Sequence, residues 1–346
     1  MIKVLNSSMQ LQNIIDNYIS LKWTERYYSN GSFEIKLPFS IDFLELLQLD
    51  KIVLFEDKAG IVESITVDMD NGEVLTVYGR DLTAILDRRI IWNTINFDGK
   101  AEKFFYQVVD ENCITTATNR VVPNLRNETL KGYTETIKKQ VSYQNILQCF
   151  EELSEELGMG FKIKYQNGKM IFEVYKGTDR SVHQSIVAPS IFSTDFENVL
   201  EQSYSKSVSD SYNSALILSE GEGTERHRQT IENGQGLSRR ELYVDAKDLQ
   251  KGALTDTEYN AQLLQRGKEK LAECPEIETL DTTINILTNM VYGLGDIVTV
   301  VNPRLNLALD TRITEIETIV ENSGKSINLT FGNNIPNVYK KLKKKG

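Results

Sequence analysis

Leu21-Lys22-Trp23-Thr24-Glu25-Arg26-Tyr27-Tyr28-Ser29-Asn30-Gly31-Ser32-Phe33-Glu34-Ile35-Lys36-Leu37-Pro38-Phe39 is two runs of alternating apolar and polar residues around a polar centre. Successive strand side chains leave on opposite faces. Leu21 and Trp23, then Phe33, Ile35, Leu37 and Phe39, therefore share a buried face, while Ser20, Lys22, Thr24, Ser32, Glu34 and Lys36 face water. Asn30-Gly31 tolerates the positive φ that tight hairpin turns need. The stretch is expected to be a β-hairpin, and it sets the class: a mixed α+β chain dominated by β structure.

Outward from the hairpin, a short helix is expected at 40–48. Strands follow at 51–55, 60–69 and 74–78, with Asp70-Asn71-Gly72 as a turn and a helix over 80–89 closing the unit. From about residue 96 the spacing becomes helical. Residues 101–112 and 142–158 read as helices, the second with Ile146, Leu147, Phe150, Leu153 and Leu157 on one face and Ser142 as N-cap. Strands 160–165 and 169–175 pair across Gln166-Asn167-Gly168. The last third returns to strands at 211–218, 226–231 and 239–244. A helix over 256–273 starts at Thr255 with Glu258 placed for a capping box, and strands at 295–301, 311–321 and 325–331 follow.

The final block echoes the first. Asp50-Lys51-Ile52-Val53 matches Gly295-Asp296-Ile297-Val298, and Ser64-Ile65-Thr66 matches Glu315-Ile316-Glu317. Asn71-Gly72 and Gly79 match Asn322-Ser323-Gly324 and Gly332. The division expected is a first β unit at 1–95, a small α+β domain at 96–190, and a second β unit at 191–346 with a helical insertion at 256–273 and a basic tail.

At 346 residues, two or three domains are the prior; with 40% hydrophobic and 25% charged residues the composition is that of a globular protein. No apolar run approaches the roughly 18 residues that span a bilayer, and the N-terminus shows no secretory or transit signal, so no membrane insertion is expected. The 39 Lys and Arg against 49 Asp and Glu leave a net charge of −10, which argues against specific nucleic-acid binding. Cys113, Cys149 and Cys274 lie far apart with no Cys-x-x-Cys pair, which suits reduced, buried thiols better than disulfides or zinc.

Trp23, Tyr27, Gly31-Ser32-Phe33-Glu34-Ile35 with Leu37-Pro38, and above all Tyr78-Gly79-Arg80-Asp81-Leu82 running into Leu86-Asp87-Arg88-Arg89, carry a resemblance. Over residues 19 to 92 the chain resembles the tail-hub proteins of phages and prophages of Gram-positive bacteria, which share their plan with the baseplate hub of contractile tails. In that motif a strand is expected to turn at Gly79 into a helix with Asp81 at its positive end.

The resemblance implies a homotrimer, made in the bacterial cytoplasm and carried in a virion or tailocin tail. Each chain would give two tube-like β-barrels, so that three chains meet a hexameric tail tube or distal tail protein on one face and a spike or tail-fibre protein on the other. The tape-measure protein is a further candidate partner. The chain reaches residue 346 with neither a fibre nor a lytic domain, so piercing or lysis is expected of another protein.

No catalytic, cofactor-binding or metal-ligating residue is assigned. His183 has Ser181 and Ser185 near it in sequence but no nucleophile motif, and His227 has no second ligand nearby. Glu220-Gly221-Glu222-Gly223-Thr224 lacks the lysine of a phosphate loop and reads as a turn. Glu151, Glu152, Glu155 and Glu156 read as a solvated helix face before a glycosidase pair, and Asp68, Asp70 and Glu73 as a hairpin tip before a calcium loop. Lys340 to Lys345 is a basic tail, either solubilising or a peg for an acidic partner. Two rival readings stand beside the non-catalytic hub: a tail-associated cell-wall-degrading enzyme, which would need a polar cleft, and a generic β-rich binding module.

Overall fold

The computed structural model describes residues 1–70, 72–285 and 290–332. The Lys-rich stretch 340–345 therefore lies outside the described residues. The first unit comprises strands β1 (Ile2–Leu5), β2 (Leu11–Ile15), β3 (Ser20–Arg26), β4 (Ser32–Pro38), β5 (Ile52–Phe55), β6 (Lys58–Asp68) and β7 (Val74–Asp81), with the short helix α1 (Ile41–Leu46) after β4. The expected hairpin is β3 with β4, pairing Trp23 with Phe33, whose rings stack with centroids 4.9 Å apart. Leu21, Ile35, Leu37, Leu75 and Val77 complete its core. Asn30 and Gly31 do not adopt positive φ. Gly31 is needed for another reason: a Cβ there would sit 2.2 Å from the Thr24 carbonyl oxygen.

The middle of the chain holds β8 (Ile95–Lys100), helix α2 (Ala101–Val109), β9 (Leu125–Asn127), β10 (Thr136–Val141), helix α3 (Ile146–Leu157), β11 (Gly160–Gln166) and β12 (Lys169–Tyr175). Phe104, Phe105, Phe150, Phe161 and Phe172 fill its core. The N-cap of α3 is Asn145, which accepts from the Gln148 amide at 3.1 Å, and not Ser142. Ser142 comes straight after β10, and the chain must first reverse through Tyr143, at φ 56°. The turn at Asn167-Gly168 has both residues in positive φ and joins β11 to β12 as expected.

The last part contains β13 (Asp179–Arg180), β14 (Ile191–Ser193), β15 (Val199–Ser207), β16 (Ser214–Leu218), β17 (Arg228–Ile231), β18 (Glu241–Asp245), helix α4 (Asp256–Ala272), β19 (Ile277–Ile284), β20 (Ile297–Asn302), β21 (Leu307–Glu321) and β22 (Gly324–Gly332). Strands β17, β16 and β18 form a separate sheet, and Tyr259 and Leu263 of α4 share its core with Ala215, Ile217 and Val244. The capping box is present: the Thr255 hydroxyl accepts from the Glu258 amide at 3.3 Å, and the Glu258 carboxylate accepts from the Thr255 amide at 2.9 Å.

The two β units merge into one 14-stranded sheet, in the order β15-β19-β22-β21-β3-β4-β7-β6-β5-β1-β2, with β20 paired to β21 and to β13 and β14. Its ends, β2 and β15, do not meet, so no closed barrel forms among the described residues. The architecture is mostly β, with a large antiparallel sheet and helices set around it.

The sequence echo is visible in the ladders. Ile52 pairs with Ile61 as Ile297 pairs with Arg312. A bulge breaks β6 between Val62 and Ser64, and β21 between Ile313 and Glu315. Ile65 then faces Val77 as Ile316 faces Leu329. The strand order β3-β4-β7-β6-β5 thus recurs as β15-β19-β22-β21-β20, and the aligned tetrapeptides and tripeptides coincide residue for residue. The glycine match is displaced by one: Gly79 corresponds to Phe331, and Gly332 to Arg80.

Gly79 lies inside β7, not at a turn, because the Phe33 ring crosses over it. A Cβ there would lie 2.4 Å from the Phe33 ring and 2.0 Å from the Ile61 carbonyl oxygen, neither of which is free to move. Gly79→Ala should therefore cost about 1–3 kcal/mol, read as a lower urea midpoint at unchanged slope.

Candidate functional site

The feature that sets this chain apart from two separate β domains is the joint between β3 and β21. Trp23 pairs with Thr318, Leu21 with Val320 and Arg26 with Glu315. On the polar face, Lys22 reaches Glu317 at 2.6 Å and Arg26 reaches Glu315 at 2.8 Å. On the other face Trp23 and Leu21 are wholly buried. The joint is a continuous sheet with its own apolar core and its own charge pairing.

Tyr27, the residue after β3, is fully buried, and its amide donates to the Thr314 carbonyl at 3.0 Å. Its hydroxyl lies 3.1 Å from the Gly158 carbonyl oxygen, at the end of α3, and 3.3 Å from that of Tyr175, at the end of β12. The Arg312 guanidinium lies over the ring, 5.1 Å from its centroid. Gly160 and Gly295 press against the ring so closely that a Cβ on either would come within 2.4 Å of it. Burial, partly offset by Arg312, pushes the phenol up to about 12, so it stays a neutral donor. One side chain thus joins the first β unit, the middle domain and the second β unit.

The Tyr78-to-Arg89 motif is scaffolding for this arrangement. Asp81 caps a 3₁₀ helix over Leu82–Arg88, accepting from the amides of Thr83 at 2.9 Å and Gly31 at 2.6 Å. The carboxylate at the positive end of a helix is as expected, though the helix is of the tighter kind. Arg80 makes a two-pronged contact with Glu63 at 2.7 and 2.9 Å and a third with Asp87 at 2.8 Å, tying β7 to β6 and to the helix. Burial pushes the Asp81 carboxyl up to about 6 despite its backbone donors.

His183 contacts Asp310 while largely exposed, and Thr299 donates to the same carboxylate at 2.6 Å. Ser181 also binds Asp310 rather than the imidazole, so the trio lacks the serine-to-base contact of a hydrolase. His227 is exposed beside β17 and meets Gln229 and the Tyr259 ring. No group of His, Cys, Asp and Glu among the described residues could hold a metal ion. Asp68 accepts from the Asp70 amide at 3.0 Å, as a hairpin tip would. Gly221 and Gly223 take positive φ in the turn expected there. Cys113 and Cys149 are buried thiols pushed up to about 11 and about 12 by desolvation, and Cys274 is half-buried.

The glutamates of α3 are not a solvated face. Helix α4 covers two of them: Lys270 binds Glu152 at 2.9 Å and Gln265 donates to Glu156 at 2.7 Å, while Glu151 meets Ser29 of the β3–β4 loop. Beside them Lys139 and Glu269 form an ion pair with side chains 3% and 1% exposed. This polar seam fastens the inserted α4 sheet to the middle domain. Nothing local announces it, because α3 alone has an ordinary amphipathic pattern and its cover arrives about a hundred residues later.

The profile of the family described as Siphovirus ReqiPepy6 Gp37-like protein matches residues 1–333. The chain belongs to that family. A search among curated proteins finds no significant match. Three crystal structures share the fold over nearly their whole lengths. The 43 kDa tail protein of prophage MuSo2 from Shewanella oneidensis has a TM-score of 0.61 at 13% identity, over 95% of this chain and 97% of that one. Prophage tail protein gp18 from Listeria monocytogenes EGD-e gives 0.57 at 14%, over 100% and 99%. The tail protein from Neisseria meningitidis MC58 gives 0.57 at 12%, over 96% and 96%. The resemblance read from residues 19 to 92 therefore holds at the level of a phage tail protein, a virion component. No helix among the described residues is long and apolar enough to cross a membrane.

Tyr27→Phe removes the single hydroxyl proton that the Gly158 and Tyr175 carbonyls share, which should cost about 1–3 kcal/mol in urea unfolding. For Asp81 the folded pKa of about 6 lies above the ordinary 3.8, so the folded state holds its proton more tightly. Its contribution is greatest below the ordinary pKa and is lost as pH rises through about 6. The thermal midpoint of Asp81→Asn relative to native should accordingly climb between about pH 4 and pH 7.

Proposed function

We propose that the chain is the hub of a phage-type tail tip or baseplate, a homotrimer that joins the tail tube to the spike or fibre without catalysis of its own. The observation that carries this is the internal repeat: two β units of the same strand order, bulged at equivalent positions and joined edge to side by β3 and β21. Residues 1–95 and 191–346 act as the two tube-like units, with 96–190 between them. Three such chains offer six quasi-equivalent positions to a tube or distal tail protein, and three true ones to a spike or fibre. The tape-measure protein is a further neighbour.

The side-chain chemistry supports a structural role. Glu152 and Glu156 of α3 are engaged in packing α4, and Ser181 and His183 both turn to Asp310. An open groove of about 560 Å³ has Glu276, Glu278 and Asp310 in its wall, and these carboxylates are already engaged by Lys206 and His183. Three copies carry about −30 formal charges, so their contacts are expected to be apolar and hydrogen-bonded, with like charges at rim and lumen.

Cryo-microscopy of the tail tip tests the assignment. Three copies in a ring around the axis are expected; six copies, or none near the axis, would overturn it.

A further inference from the structure

We propose that the free edge of β15 in one copy pairs antiparallel with the outer half of β6 in a second copy, in the register that β3 and β21 use within the chain. The number of copies in the resulting ring rests on the trimer reading above; the pairing itself follows from the repeat.

Each strand of one unit has a counterpart in the other, β3 matching β15 and β6 matching β21. Within the chain, β3 is flanked by β4 and by β21. Its counterpart β15 is flanked by β19 and, among the described residues, by nothing on its other side. Strand β21 has β22 on one side; on the other, β20 covers its start, Leu307–Arg312, and β3 its end, Glu315–Glu321. Strand β6 has β7 on one side and β5 against its start, Lys58–Ile61, but no strand among the described residues against Glu63–Asp68. One plug and one socket are thus joined inside each chain, and one of each is left open. Unpaired strand edges are templates for adding a strand from another chain.

The bulges fix the register. Superposing Val62 on Ile313 and Trp23 on Tyr204 through the ladders sets Val67 opposite Tyr204, Thr66 opposite Ser205, Ile65 opposite Lys206 and Asp68 opposite Ser203. Trp23 is 0% exposed in the filled joint, while its counterpart Tyr204 is 36% exposed, with Leu200 at 62% and Met69 at 56% beside the same edges. These are the residues a second copy would cover. No like charges oppose each other from Ser64 to Met69; only at the outer end does Asp70 come opposite Glu201, where water screens them.

Thr66→Cys combined with Ser205→Cys tests the pairing in the full chain, in a Cys274→Ser background because Cys113 and Cys149 are buried. Mild oxidation should convert most of the protein into a reducible covalent ring of three copies. Either single variant should give none, and the out-of-register pair Ser64→Cys with Ser203→Cys about fivefold less or lower. A trimer by light scattering that does not cross-link overturns the pairing and leaves the hub reading standing. A cross-linked ring of another size supports the pairing and removes the trimer. A monomer that never cross-links under oxidation overturns the pairing.

Discussion

Three parts of this molecule depend on one buried phenol. Tyr27 leaves the end of β3 pointing inward, and its hydroxyl meets carbonyls at the ends of α3 and β12 while Arg312 from β21 lies over its ring. A neutral hydroxyl of fixed reach lies within hydrogen-bond distance of both carbonyls without bringing a charge into the interior. Its surroundings are fitted to it: Gly160 and Gly295 have no side chain because the ring occupies that space. The two β units and the middle part of the chain thus meet at a packed contact as well as along the β3–β21 ladder.

How much of this was legible varies with how local the signal is. The β3–β4 hairpin could be read because its alternation is strong, and Ile52-Val53 and Ser64-Ile65-Thr66 could be aligned because each unit spends its apolar residues at the same ladder positions. Strand β15 could not: Val199-Leu200-Glu201-Gln202-Ser203-Tyr204-Ser205-Lys206-Ser207 is polar on both faces, as an edge strand often is. Strand β1 is four residues long, too short for a period to show. Tyr27 was noticed only as part of a resemblance, since no local pattern says which way a loop tyrosine turns. The barrels expected of each unit do not close among the described residues: β3, at the edge of the first unit, pairs onward with β21.

The charged groups repeat the lesson at the level of chemistry. Four glutamates in six residues of α3 look solvated when the helix is read alone, yet α4 brings Lys270 to Glu152 and Gln265 to Glu156 and leaves Glu152 buried. Burial alone would push the neighbouring Lys139 ammonium down, but the Glu269 carboxylate, with smaller help from its surroundings, holds it above its ordinary value. Removing either partner would strand a charge in the interior, so the insertion is fastened by groups that need one another more than they need water.

That β3 and β21 lie on one polypeptide has a kinetic consequence. A joint between separate molecules forms at a rate set by protein concentration and dissolves on dilution. A joint tethered by its own chain forms at an effective concentration fixed by the tether, whatever the number of molecules in the cell. Tethering also frees the two kinds of joint to diverge. The internal one carries Lys22–Glu317 and Arg26–Glu315, which hold their register whether or not another copy is near. Any ring built from such chains starts with half its seams already sewn, and only the other half has to wait for a collision.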